Sequence, residues 1–148
     1  MESAKLNIVN RRASFDYQLL QRFTAGIVLT GTEIKSVRTG HVNLTDAFCF
    51  FKDGELFVRN MHISQWKQGS HYNHDPLRVR KLLLKKSELK KLRTKATEKG
   101  FTIVPVKITL SESGYAKIEI AIAQGKKSFD KREDLKKKDQ QREIQRFV

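Results

Sequence analysis

Three residues, Lys52-Asp53-Gly54, constrain the fold more than any others in this chain. They separate two runs rich in aromatic and β-branched residues, Leu44 to Phe51 and Glu55 to Met61. Asp-Gly supplies two residues that tolerate positive φ, which a tight hairpin turn demands. The two runs are therefore read as antiparallel neighbours. Phe101 to Leu110 and Ala116 to Ala123 alternate like two further strands around Ser111-Glu112-Ser113-Gly114. Gly26 to Leu29 is a short apolar run suited to a buried strand.

Helices are interspersed. Ser14 is placed to cap a short helix through Phe23, and Thr32 to cap a two-turn helix that Gly40 ends. Ser87 opens a third helix that runs to Lys99, with Leu89 and Leu92 inward and Gly100 at its end. His62 to Asp75 is polar and reads as a loop. About six short strands with about three helices give a mainly β, α+β domain. That content suggests a small closed antiparallel barrel of the oligonucleotide-binding (OB) type.

The 148 residues fit one ordinary domain, with a formal net charge of +14. Composition shifts near residue 124. Residues 1–123 form an apolar-cored body of charge +10, and 124–148 form a basic tail of charge +4. The tail's apolar residues, Phe129, Leu135, Ile144, Phe147 and Val148, are too sparse to offset the ordering of its backbone. It is expected to be disordered or nascent-helical alone and to become a helix when a polyanion supplies the missing stabilisation. The longest apolar stretch, Ala47 to Phe51, is far too short for a bilayer. Met1 to Arg12 lacks the apolar segment of a secretory signal, and one cysteine, Cys49, suits a reducing cytoplasm.

Catalytic chemistry finds little support. Glu33, Asp46, Asp53 and Glu55 show no catalytic spacing, and no Gly-rich phosphate loop is present. His71 and His74 are three apart, but Cys49 alone adds a thiolate, short of a tetrahedral zinc set. The chain is read as a non-enzyme without metal or cofactor. Its basic clusters say more: Asn10-Arg11-Arg12, Lys35 with Arg38, and Arg78, Arg80 and Lys81 leading into Leu82-Leu83-Leu84. Arginines fork onto phosphates and lysines act as point charges. Trp66, His71 and Tyr72 are candidate platforms for unpaired bases. No segment pairs a strong apolar face with a basic one, so nucleic acid is favoured over a membrane.

The same residues resemble a known family. Asn10-Arg11-Arg12-Ala13, Tyr17, Ala25-Gly26-Ile27 and Gly31-Thr32-Glu33-Ile34-Lys35-Ser36-Val37-Arg38-Thr39-Gly40 follow its pattern in order. So do Leu44, Asp46, Gly54-Glu55, His62-Ile63, Asn73-His74-Asp75-Pro76, Arg78 to Leu84, and Gly125-Lys126-Lys127-Ser128-Phe129-Asp130-Lys131-Arg132. The pattern is similar to that of small protein B, the bacterial tmRNA-binding family of trans-translation. Thr24, Ala47-Phe48, Trp66 and Lys85 depart from its usual residues.

The resemblance implies an OB-type body that holds the tRNA-like part of tmRNA, and a tail that enters the empty mRNA channel of a stalled ribosome. It implies delivery of alanyl-tmRNA with elongation factor Tu, no cofactor and no catalysis, by a monomer. The expected RNA-binding set is Asn10, Arg11, Arg12, Glu33, Lys35, Ser36, Arg38, Arg78, Arg80 and Lys81. The expected ribosome-binding set, toward small-subunit rRNA at the decoding region and channel, is Gly125, Lys126, Lys127, Phe129, Asp130, Lys131, Arg132, Lys136, Lys137 and Lys138. The reading from another class is a ribosomal or ribosome-assembly protein bound to one rRNA site.

Overall fold

The computed structural model describes residues 6–68 and 73–125. The tail from Lys126 on, and the two platform candidates His71 and Tyr72, lie outside the described residues. In chain order the elements are β1 (Leu6–Val9), α1 (Arg11–Asp16), β2 (Tyr17–Ile27), α2 (Gly31–Arg38), β3 (Val42–Asn43) and β4 (Phe48–Lys52). There follow β5 (Glu55–Arg59), β6 (His62–Ile63), β7 (Arg80–Leu83), α3 (Lys86–Ala96), β8 (Phe101–Leu110) and β9 (Ala116–Gly125).

The Asp53-Gly54 hairpin forms as read. Both residues have positive φ, 52° and 77°, and β4 pairs with β5 from Lys52↔Glu55 to Phe48↔Arg59. β8 and β9 pair along their length across the Ser111–Gly114 turn. Strand pairing runs β8-β4-β5-β7-β2-β9 and returns to β8, a closed circuit of six antiparallel strands. β1 extends the sheet along the Lys107–Leu110 part of β8.

The main core gathers Leu56, Val58, Leu82, Ile103, Ile108, Ile118, Ile120 and Ile122 from this circuit, with Val37 of α2 and Leu92 of α3. Leu92 is the buried contact of α3, and burying such a side chain stabilises by about 1.5–3 kcal/mol. β8 and β9 are buried on both faces where α1 covers them, through Ala13 against Val104 and Ala123. Cys49 lies in the core, where burial pushes its thiol pKa upward and leaves it inert.

Several boundaries differ from the sequence reading. The helix expected from Ser14 to Phe23 instead occupies Arg11–Asp16 with Asn10 at its N-cap, and the chain enters β2 at Tyr17. Pairing of β2 with β9 through Gly26 outweighs local helix propensity there. The second helix is capped by Thr30, not Thr32: Thr30 Oγ1 accepts from the Glu33 N–H at 3.4 Å and the Thr30 N–H donates to Glu33 Oε1 at 2.8 Å. The third starts after Lys85 rather than at Ser87, with the Lys85 N–H donating to Glu88 Oε1 at 3.1 Å, and it ends at Ala96 rather than Lys99, with Thr97 as its C-cap. The expected loop also contributes a strand, β6, which pairs with β3.

Candidate nucleic-acid interface

The capping carboxylate of α2 has a second task. Glu33 is 0% exposed, and its two oxygens also receive Arg78 and Arg80. Arg78 donates through Nη2 to Oε1 at 2.7 Å and through Nε to Oε2 at 3.3 Å. Arg80, also 0% exposed, donates its Nε to Oε2 and its Nη1 to the Met61 carbonyl. Its Nη2 reaches the Pro76 carbonyl at 3.2 Å. Burial alone would raise the Glu33 pKa. Hydrogen bonds from Arg78, the Thr30 N–H and Arg80, with the Arg80 charge, outweigh it and hold the carboxyl at about 2. For Arg80, burial pulls the pKa down while Glu33 opposes it.

One carboxylate thus joins the start of α2 to β7 and the turn before it. Two guanidinium charges meet one carboxylate charge, so the cluster keeps a positive excess. Arg78 presents it at the surface, its side chain 36% exposed and also bonded to the Val28 carbonyl at 3.1 Å. Two further bonds pin α2. Ser36 Oγ donates to the Ser64 carbonyl at 2.6 Å. His74 bridges Thr32 Oγ1 (2.9 Å from Nδ1) and the Ile63 carbonyl (2.9 Å from Nε2). That carbonyl only accepts, so Nε2 carries the hydrogen.

The expected RNA-binding set therefore divides. Arg11, Arg12, Lys35 and Arg38 are exposed, and Arg78 and Lys81 are half-buried. Arg12 pairs with Asp16 at 3.0 Å and Lys81 with Glu55 at 3.8 Å. Such surface pairs contribute about 0–1 kcal/mol and yield readily to a phosphate. Glu33, Ser36, Arg80 and Asn10 are buried, each bonded to other protein groups. Asn10 stitches the bulge of β8, its N–H on the Val106 carbonyl at 2.7 Å and its Nδ2 on the Pro105 carbonyl at 2.9 Å. At this bulge the Asn10 amide thus gives the Pro105 carbonyl a donor from outside the sheet.

The basic set is not one patch on one element. α1 packs against β2 and β8, whereas α2 packs against β6. Trp66 is half-buried, its backbone paired with the Asn73 side chain, beside a cavity of about 380 Å³. Gly125 closes β9. The sequence reading missed two surface features. One is the run of exposed cations on α3 beyond Lys86, namely Lys90, Lys91, Arg93 and Lys95. The other is a ring ladder of Phe48, Phe50 and Phe57, legible from period-two alternation through the Asp-Gly turn.

The chain is similar to known proteins in sequence and in fold. The family described as SmpB protein matches residues 7–148. The SsrA-binding protein of Phocaeicola vulgatus is 54% identical over 147 residues, covering 99% of this chain and 98% of the relative. That of Cytophaga hutchinsonii is 54% identical over 142 residues, covering 96% and 93%. A solved structure described as "tmRNA-SmpB: a journey to the center of the bacterial ribosome" superposes with a TM-score of 0.71 at 49% identity, covering 82% of this chain and 85% of that one.

Two outcomes follow from the site. Glu33→Gln strands two guanidinium groups and should cost about 3–5 kcal/mol, lowering the melting temperature by about 10–15 °C. The wild-type carboxyl has a pKa of about 2 when folded and 4.5 in its ordinary state. Its contribution is therefore full above pH 5 and lost as pH falls toward 2, so the stability gap between wild type and variant should narrow over that window in denaturant titrations. Second, Arg11→Ala with Arg12→Ala, or Lys35→Ala with Arg38→Ala, should weaken RNA binding and flatten its salt dependence by about 0.7–0.9 per lost phosphate contact. Wild-type slopes in both double variants would make these residues mere solvated surface.

Proposed function

From the premise that this chain belongs to the SmpB protein family, we propose that it binds the tRNA-like domain of tmRNA and delivers alanyl-tmRNA to stalled ribosomes in trans-translation. One observation carries the reading: the family match runs to residue 148 and so includes the basic tail as well as the body. The geometry supports it. A closed strand circuit, read as the OB-type barrel, holds α1, α2 and β7 in fixed relation, and their exposed cations offer a rigid surface to a folded RNA. A-form RNA hides most of its sequence from side chains, so recognition rests on shape, phosphates and stacking.

The tail is the probe for vacancy. From Ser128 on it would span about 30 Å as a helix, at 1.5 Å per residue. It orders along an empty mRNA channel, where Lys131, Arg132 and Lys136 to Lys138 meet rRNA phosphates near the decoding region and Phe129 stacks. A filled channel excludes it. Selectivity for stalled ribosomes is then steric. The protein contributes no catalytic group and no cofactor. It acts as a monomer in the cytoplasm, with elongation factor Tu engaged through the delivered RNA. Among the described residues no helix is long and apolar enough to cross a membrane.

Deleting Ser128 to Val148 separates this role from simple RNA binding. The truncated chain should keep its cooperative melting and most of its affinity for isolated tmRNA, and lose peptide tagging on stalled ribosomes. Proline at Leu135 or Lys138 should mimic the deletion, since proline costs about 3 kcal/mol within a helix. Tagging at normal rates by the truncated protein would contradict the proposal.

A further inference from the structure

The hairpin face turned away from the core carries a ladder of rings. Phe50 and Phe57 are register partners, their centroids 5.9 Å apart and planes 27° from parallel, and Phe48 follows 6.5 Å from Phe50. Phe48 is 36% exposed and stands opposite Arg59, while Phe57 stands opposite Lys81. The ladder ends at a cavity of about 230 Å³ that Phe48 shares with Asn10, Arg12, Asp16, Thr45 and Asp46. One water takes about 30 Å³, so a single ordered water does not fill it.

In a protein of net charge +14, this cavity places two carboxylates, Asp16 and Asp46, beside a single guanidinium, Arg12. Asp46 is exposed, with no hydrogen bond or ion pair among the described residues. Asn10 is 6% exposed, and its Oδ1 is buried without a hydrogen-bond partner among them. Asp16 faces Arg12 at 3.0 Å. Arg12 balances Asp16, so Asp46 is the carboxylate left over, and it disfavours a phosphate beside it. A planar, neutral donor is what the set accepts, and the neighbouring rings favour a flat one.

We propose that this cavity takes one unpaired guanine base from the RNA that the cationic surface holds, with flanking bases stacked along Phe48, Phe50 and Phe57. Guanine presents two adjacent donors, N1–H and N2–H₂, which match the two oxygens of the Asp46 carboxylate. Adenine and cytosine set an acceptor beside their amino group, and uracil sets carbonyls on both sides of its N–H. Stacking on each ring is tolerant of base identity, so the specificity resides in Asp46. This inference rests on the RNA-binding function proposed above, and the chemistry is the same for a guanine of tmRNA or of rRNA.

The test is fluorescence anisotropy of the full chain with short single-stranded RNAs that differ only at one central position, guanine, inosine or adenine. Inosine keeps N1–H and lacks the amino group. Guanine should bind about tenfold more tightly than adenine, with inosine between. Asp46→Asn, at an exposed position that leaves the fold intact, should reduce that preference to about twofold or less without weakening the adenine strand. Equal affinities in wild type, or a preference untouched by Asp46→Asn, overturns the proposal. The same variant is then titrated with the tRNA-like domain of tmRNA and with decoding-region rRNA, and the RNA that loses affinity is the guanine's source. Wild-type binding to tmRNA with no loss on either RNA in the variant overturns the cavity alone. Wild-type protein that does not bind tmRNA overturns the function on which it rests.

Discussion

The buried carboxylate of Glu33 is the point on which the rest of the surface depends. It caps α2 through Thr30, receives both arginines of the segment entering β7, and has no solvent of its own. Taking such charges out of water costs several kcal/mol per ion, which only close and fully bonded partners repay. Here each oxygen is used more than once, and the Arg80 guanidinium is shared with the Met61, Asp75 and Pro76 carbonyls. The depressed pKa of Glu33 is the thermodynamic mark of that bonding. It is worth roughly 3 kcal/mol.

What the cluster fixes is the placement of cations that it does not itself contain. Lys35 and Arg38 ride on α2, one and two turns beyond the cap, and the helix can move little while Glu33, Ser36 and Thr32 are all tied to the loop that includes Ser64 and His74. Arg38 also reaches the β8–β9 turn, where Gly114 at φ +90° leaves room for its guanidinium. A rigid array of charges suits a folded RNA, whose phosphates are themselves fixed in space. A flexible array would lose side-chain and backbone entropy on binding and discriminate less by shape.

Much of the fold was legible where local chemistry and tertiary demand agree. The Asp53-Gly54 turn, the β8–β9 alternation and the Gly40 end of α2 needed no long-range information. Helix starts were misplaced because the cap was sought in the nearest hydroxyl. The better signal was the acid three residues on, Glu33 for Thr30 and Glu88 for Lys85. The site was legible in composition and only partly in role. A sequence shows that Glu33, Arg78 and Arg80 are charged, but burial decides that one carboxylate joins them across 45 and 47 residues. Asn10 is the same case, since its partner at the β8 bulge is 95 residues away.

We infer that Glu33 acts on RNA through the cations of α2 rather than by touching it. A double-mutant cycle measures this directly, combining Glu33→Gln with the pair Lys35→Ala and Arg38→Ala and reading affinity for the tRNA-like domain of tmRNA at a temperature where every variant is folded. If Glu33 is a positioning residue, its replacement weakens binding in the wild-type background and adds little once Lys35 and Arg38 are gone. Fully additive losses would contradict the account and place Glu33 itself in contact with the RNA.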